Sequence, residues 1–305
     1  MQSWKTGMPG GIAMDQQHAS HTAGAHGLGI SAASCSDTGH VREHNEDCVA
    51  LCEPPDQMAL AHLGRLYLLA DGAGGHAAGE VASRVAVETI TATYYDQMAP
   101  RHSLEHMSQK QGTVSHPHGP LPDIDLPFRH IQHAFFAAHT RIRELATLKQ
   151  EYAGMITTCL AAVVKGAQFL IAHVGDSRAY LIHSSAESPH LLTRLTSDHS
   201  MVTELARAGI ISPEQVPSSP SRHIILRALG ENKQNYLGPD ITTGIVQSGD
   251  HLVLCCDGLW SMLTEEQIVT VVKNNTPQVA CNELIRLANE AGGQDNISAV
   301  VLSFL

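Results

Sequence analysis

Three aspartates, Asp71, Asp257 and Asp295, recur in one kind of place in this sequence, where an apolar run meets a turn. Asp71 ends Leu66-Tyr67-Leu68-Leu69-Ala70, Asp257 ends Leu252-Val253-Leu254-Cys255-Cys256, and Asp295 opens the run Ile297 to Val301. A carboxylate at the end of a buried strand is costly unless it is paired or holds a cation. Asp71 and Asp257 are each followed by Gly, which lets backbone approach a bound group closely. Glu46-Asp47 opens another strand and adds more acid. One Asp-Gly is an ordinary turn; the recurrence is what points to a site. If these acids converge, the donors are all oxygen and negative charge is in excess, a combination that favours Mg²⁺ or Mn²⁺ over Zn²⁺.

Other chemistries fit less well. Gly72-Ala73-Gly74-Gly75-His76-Ala77 matches the dinucleotide pattern G-x-G-x-x-A, follows a strand and opens a helix, with Asp96 further on. Against a nicotinamide-dependent oxidoreductase, Asp71 would repel the pyrophosphate, and the region after Asp96 is a His- and Pro-rich loop rather than the rest of a βαβαβ half. No Gly-Lys-Ser or Gly-Lys-Thr occurs, which excludes a Walker loop. Cys48 and Cys52 have the loose spacing of half a zinc site, but no second pair follows and core packing is the simpler reading.

The elements that must position these acids read as alternating groups. Residues 1–27 lack periodicity and read as a flexible tail. Strands are expected at 28–35, 47–53 and 64–70, followed by helices from about 77 to 98 and from 128 to 149. Between the helices, 99–126 carries Pro, His, Gly and Ser and reads as an insertion. A hairpin, 157–164 with 168–174, turns at Lys165-Gly166; strands at 179–182 and 191–195 follow. After a short helix at 200–208, strands are expected at 223–229, 241–246 and 251–256, helices at 265–272 and 277–290, and a last strand at 297–304. Paired helices interrupting groups of strands predict antiparallel sheet with helices packed outside.

Composition narrows the function. The chain has 305 residues with a formal net charge of −11, 43% apolar and 4% aromatic residues, which suits an aliphatic-rich globular protein. The acidic balance argues against nucleic acid as a partner. No apolar run approaches the ~20 residues that span a bilayer, and residues 1–30 show no secretory h-region, so the expectation is a cytosolic protein without membrane insertion. Seven Cys without framework spacing agree.

Seven short motifs, in order, resemble the metal-dependent Ser/Thr protein phosphatases of type 2C in their bacterial form. Arg42-Glu43-His44-Asn45-Glu46-Asp47 resembles R-x-x-N-E-D, and Asp71-Gly72-Ala73-Gly74-Gly75-His76 resembles D-G-x-G-G-H. Gly154-Met155-Ile156-Thr157-Thr158 resembles G-M-G-T-T, with Ile156 in place of the second Gly. Gly175-Asp176-Ser177-Arg178-Ala179-Tyr180, Leu195-Thr196-Ser197-Asp198-His199-Ser200, Asp257-Gly258-Leu259-Trp260 and Asp295-Asn296 complete the set, which covers roughly residues 30–305.

The resemblance implies an α+β fold: a four-layer α-β-β-α sandwich, with two central antiparallel sheets flanked by helix pairs. It implies one catalytic domain over 28–305, with a flap at about 199–230. It implies two Mn²⁺ or Mg²⁺ ions held by Asp71, the Gly72 carbonyl, Glu46, Asp257 and Asp295, with Asp198 a candidate ligand for a weak third. No Asp stands before Thr157-Thr158 to partner it; the nearest acid is Glu151. The implied reaction is hydrolysis of phosphoserine and phosphothreonine in proteins by a metal-activated water, countering a bacterial Ser/Thr kinase. Arg42, which on its own spacing reads as a surface ion pair with Glu43 or Glu46, becomes a phosphoryl contact through its planar fork. Animal members carry His where this chain has Ala73; His76 is the alternative proton donor, or a structural helix-start residue. Asn45 and Asp47 are expected to support the shell around Glu46, Asp176 to pair with Arg178, and Trp260 to lie in the core. An inactive phosphoprotein-binding module with the same fold is the other reading. It could lose its metal acids without penalty, and this chain has kept them.

Overall fold

The computed structural model describes residues 15–21, 28–74, 78–96, 114–115, 124–184, 191–216, 219–231 and 236–305. The first half of the chain forms β1 (Asp15–His21), β2 (Ile30–Asp37), β3 (Asp47–Cys52), α1 (Gln57–Leu63), β4 (Arg65–Ala73), α2 (Ala78–Tyr94), β5 (Val114–Ser115) and α3 (Asp125–Leu148). Next come β6 (Ile156–Thr157), β7 (Cys159–Lys165), β8 (Gln168–Val174), β9 (Arg178–Ile182), β10 (Leu192–Arg194) and α4 (Met201–Arg207). The chain closes with β11 (Asp240–Ile245), β12 (His251–Cys255), α5 (Asp257–Trp260), α6 (Glu265–Lys273), α7 (Pro277–Glu290) and β13 (Ile297–Phe304).

Two sheets result. One has the order β1-β2-β13-β12-β9-β10; the other has β3-β4-β7-β8-β11-β5, with β6 on the end of β4. Every pairing is antiparallel except the short β5–β11 contact. Three apolar layers separate four structural ones. Strand β4 shows why: Tyr67 and Leu69 face the opposite sheet, while Leu66, Leu68 and Ala70 face α1, α2 and α3. On the far side, Val253 and Cys255 of β12 pack against α6 and α7, while Leu252 and Leu254 face inward. Strands buried on both faces read as continuous apolar runs, and each leucine so buried is worth ~1.5–3 kcal/mol. The outer helices are locally encoded: α6 starts with a Thr264–Gln267 capping box, and α7 with Pro277 in its first turn. The expected α-β-β-α sandwich is the fold that forms.

Several local expectations change. Asp15–His21, inside the stretch read as a flexible tail, pairs with β2 over its whole length. An edge strand needs only backbone partners, so its polar sequence gave no alternation to find. The apolar stretch 223–229 is no strand; it makes only the bridges Ser200–Ile225 and Thr157–Leu229. Those bridges fasten the segment that carries α4, capped by Ser200. Most of the 99–126 insertion lies outside the described residues, as does His76. Among the described residues, no helix is long and apolar enough to cross a membrane.

Candidate active site

The site forms at one edge of the sandwich, where the ends of β3 and β4 meet the β12–α5 and pre-β13 turns of the other sheet. Asp47 and Asp71 sit directly opposite each other across the β3–β4 pair. The Asp71 peptide is held on both sides: its N–H donates to Thr158 Oγ1 at 3.1 Å, and its carbonyl accepts from Thr158 N at 2.8 Å and Thr157 Oγ1 at 2.9 Å. That accounts for the Thr-Thr motif, which fixes the Asp71 backbone without engaging its carboxylate. Gly72 N donates to the Glu46 carbonyl at 3.1 Å, and a Cβ on Gly72 would lie 2.1 Å from the Gly79 carbonyl oxygen. Only glycine lets β4 pass this close to the start of α2. The Gly79 N–H, at that helix start, donates to the Glu46 carboxylate.

Asn296 joins the two sheets. Its Oδ1 accepts from Glu46 N at 2.8 Å, and its amide donates to the Thr38 and His44 carbonyls, each at 2.9 Å. The loop carrying Arg42 is thereby tied to the strand that follows Asp295. Gly258 is forced by the same approach, since a Cβ there would lie 2.0 Å from the Asn296 carbonyl oxygen. Arg42 donates to Asp295 Oδ2 at 2.7 Å, in place of a pair with Glu43 or Glu46 as its partner, and keeps 52% of its side chain exposed.

The acids strain one another. Burial lifts the Asp71 carboxyl well above the usual carboxylate range, and the charges of Asp47, Asp257, Asp176 and Asp295 add to it. Burial pushes Asp47 up to about 7 against the neighbouring Ser298 and Cys256 side chains. Asp176 rises to about 7 through burial and the Asp257 charge. Asp257 rises through burial and Asp295, opposed by the charge of His223, a hydrogen bond shared with Asp71 and the Gly258 N–H. Glu46 rises through burial, opposed chiefly by Arg42. Both carboxylate oxygens of Asp47, and Oδ1 of Asp176, are buried with no hydrogen-bond partner. Orphaned carboxylate oxygens beside like charges, with only oxygen donors around, fit hard divalent cations. Among the described residues, no three acidic, His or Cys side chains already surround a single point; drawing them together would fall to the ions.

Asp198 is held by two arginines, and its charge reaches Asp176. Arg178 grips it through a fork of 3.2 and 2.8 Å, and Arg194 binds the same carboxylate. The Arg178 guanidinium lies 3.4 Å from the centre of the Trp260 ring, whose Nε1 donates to the Asp176 carbonyl at 3.0 Å. Arg178 therefore serves Asp198, where Asp176 was the expected partner, and Asp176 looks toward Asp257. The structure thus draws Glu46, Asp71, Gly72, Asp257, Asp295 and Arg42 to one edge. It adds Asp47 and Asp176, which the motifs contained without marking. The place of Asp47 opposite Asp71 shows only in the β3–β4 register.

Comparison with known proteins covers most of the chain. Residues 41–291 match the family model described as protein phosphatase 2C. The chain is 33% identical over 271 residues to the serine/threonine phosphatase stp of Listeria monocytogenes, covering 88% of this chain and 93% of that one. A crystal structure of the Mycobacterium tuberculosis serine/threonine phosphatase PstP/Ppp superposes with a TM-score of 0.67 at 31% identity, over 90% of this chain and 98% of that one. The catalytic domain of PstP in complex with two manganese ions gives 0.68 at 29% identity, over 91% and 99%. With the family model matched over most of the chain and a relative a third identical over nearly its whole length, the chain belongs to the protein phosphatase 2C family of metal-dependent serine/threonine phosphatases.

Proposed function

We propose that this protein dephosphorylates phosphoserine and phosphothreonine in proteins with two divalent ions, Mn²⁺ or Mg²⁺, held by Asp71, the Gly72 carbonyl, Glu46, Asp257 and Asp295. The observation that carries the reading is the convergence of these acids with the unpartnered oxygens of Asp47 beside them. The two manganese ions of the PstP complex support the ion number. When bound, the ions supply charge neutralisation and an activated water.

The protein's own residues do the rest. Thr157 and Thr158 fix the Asp71 backbone, and Asn296 fixes Glu46 and the Arg42 loop relative to Asp295. Arg42, aimed by Asp295 yet half exposed, can place its remaining N–H groups on the phosphoryl oxygens, where charge develops during transfer. His76 is proposed as proton donor to the leaving alkoxide. For a third, weaker ion, Asp176 beside Asp257 is better placed than Asp198, whose carboxylate already serves two arginines. The biological counterpart would be a Ser/Thr kinase acting on the same proteins.

The test is hydrolysis of p-nitrophenyl phosphate and of a phosphothreonine peptide with Mn²⁺, with Mg²⁺ and with EDTA, beside Asp257→Asn. Turnover that requires metal and is lost in the variant supports the proposal. Metal binding without turnover on either substrate would favour a phosphoprotein-binding module, and absence of metal binding would refute the assignment of the acids.

A further inference from the structure

We propose that His199 is a positioning residue for the acid edge: by holding both backbone groups of Gly175 it sets the turn that carries Asp176 and Ser177, and through that turn the Thr158 hydroxyl that holds Asp71. The inference rests on the phosphatase reading above.

Three observations carry it. The first is the grip on the turn. His199 N donates to the Gly175 carbonyl at 2.9 Å, and Gly175 N donates back to His199 Nδ1 at 3.0 Å. The ring is itself held on its other side. Its Nε2 stands 3.2 Å from Asp240 Oδ2, and the second oxygen of that carboxylate takes Arg227 Nη1 at 2.8 Å. Arg227 Nη1 lies 2.8 Å from the same Nε2, and Arg227 Nη2 is anchored on the Gly238 carbonyl. His173 stacks on the face of the ring, 4.6 Å between centres, and His199 is buried. The ring thus presents an acceptor to Gly175 and a donor to Asp240, and its neighbours leave it one orientation.

The second is where the turn leads. Residues 175–177 join β8 to β9. A Cβ on Gly175 would lie 2.5 Å from Thr158 Cβ, so the turn packs directly on Thr158. Thr158 Oγ1 and Ser177 Oγ share a hydrogen bond of 3.0 Å, and the same Thr158 oxygen accepts from Asp71 N at 3.1 Å. Asp176, between Gly175 and Ser177, is held at its own carbonyl by Trp260 Nε1 at 3.0 Å, while its Oδ1 is buried without a partner. An unbroken run of contacts therefore leads from His199 through Gly175, Ser177 and Thr158 to Asp71.

The third is that His199 has no hydrogen-bonding edge to spare. Both ring nitrogens are spent, one on Gly175 and the other on Asp240. Its effect must pass through the turn. Groups that orient metal-binding acids in this way govern affinity and rate without touching the ion.

The experiment separates the two nitrogens. His199→Asn puts an amide oxygen near the place of Nδ1, keeping an acceptor for Gly175, but falls short of Asp240. His199→Gln reaches toward Asp240 with its amide nitrogen and leaves Gly175 N without its acceptor. Each is compared with wild type for turnover of p-nitrophenyl phosphate and a phosphothreonine peptide at saturating Mn²⁺, for Mn²⁺ binding by calorimetry, and for urea unfolding in EDTA. His199→Gln should lose ~10-fold or more in both kcat and Mn²⁺ affinity, with KM for the peptide within about twofold. His199→Asn should stay within about threefold of wild type in kcat and Mn²⁺ affinity, although the urea midpoint falls in both variants. A purely structural role predicts instead that kcat and Mn²⁺ affinity follow the urea midpoints, and that result overturns the proposal. So does an equal loss in the two variants, or a rise in KM at constant kcat, which would make His199 a substrate contact. Should His199→Gln not fold, Ser177→Ala cuts the hydroxyl link to Thr158 with His199 intact; the same losses are expected of it, and wild-type values overturn the proposal. A wild type inert on both substrates overturns the phosphatase reading and this one with it; an active wild type with His199→Asn and His199→Gln alike overturns this one alone.

Discussion

Asp47→Asn separates an acid cluster built for cations from one that merely tolerates burial. In the metal-free protein the Asp47 carboxylate has no hydrogen-bond partner and its ionisation is pushed from 3.8 up to about 7. At about 1.4 kcal/mol per pH unit, holding it charged costs ~4 kcal/mol above neutral pH, and water entry reduces the realised cost to ~1–3 kcal/mol. The sign follows from the raised value. Between about pH 4 and pH 7 the folded protein keeps a proton that the unfolded chain has released, so this group makes the metal-free protein less stable as pH rises. Asn carries no charge and removes that slope.

The assay is urea unfolding in EDTA at pH 8 and at pH 4.5, repeated with saturating Mn²⁺ at pH 8. In EDTA at pH 8 the variant should be more stable than wild type by ~1–3 kcal/mol, and the gap should shrink toward zero at pH 4.5. With Mn²⁺ the order should reverse, because wild type gains more from the ion than the variant does. A variant that is less stable in EDTA at pH 8, or that gains as much from Mn²⁺ as wild type, would refute the reasoning.

Three further outcomes test the site's supports. A Cβ on Gly79 would lie 2.6 Å from Glu46 Oε1, the movable end of that side chain; Gly79→Ala should change unfolding free energy in EDTA by less than ~1 kcal/mol while lowering Mn²⁺ affinity ~10-fold by calorimetry. Buried His173 is held down to about 4, first by burial and then by the charge of His199 stacked 4.6 Å away. It folds neutral, so its stabilising share is complete above about pH 6.5 and is lost as pH falls toward 4; the stability gap between wild type and His173→Gln should narrow by ~2 kcal/mol between pH 7 and pH 4.5. Arg178→Lys gives up the fork on Asp198 and the flat stack on Trp260, and should cost ~1–3 kcal/mol in urea unfolding.

How much of this was legible depends on whether the information was local. Asp71 and Asp257 announced themselves because an apolar run ending in Asp-Gly marks a strand end; paired helices between groups of strands pointed to antiparallel sheet with helices outside, and the four layers came from the family resemblance. The partner of Asp198 was not legible: Arg178 lies 20 residues away, on a strand whose register against its neighbours sets which acid it meets. Asp47 looked like support for Glu46, because only the β3–β4 register shows that it faces Asp71. The stretch 223–229 reads as a strand by composition, yet Arg227 turns to Asp240 while Ala228 and Leu229 enter the core. Helix α1 was missed because seven residues after two prolines give no period to count; a side-chain cap from Asp56 starts it.

The division of labour between the sheets sets what an ion does here. One sheet brings Glu46, Asp47 and Asp71, and the other brings Asp257 and Asp295. At this edge the sheets are joined by the Asn296 hydrogen bonds and by Asn45 Nδ2 donating to Ser36 Oγ, with Arg42 answering Asp295. Without cations, burial first and the neighbouring carboxylates second raise the ionisation of Asp71, Asp47 and Asp257. A divalent ion held between the sheet ends, as proposed, would relieve both costs, and its binding energy would add to the stability of this edge. Substitutions that loosen the Asn296 junction should therefore weaken metal binding even where no ligand is touched, and excess Mn²⁺ should restore the fold before it restores turnover.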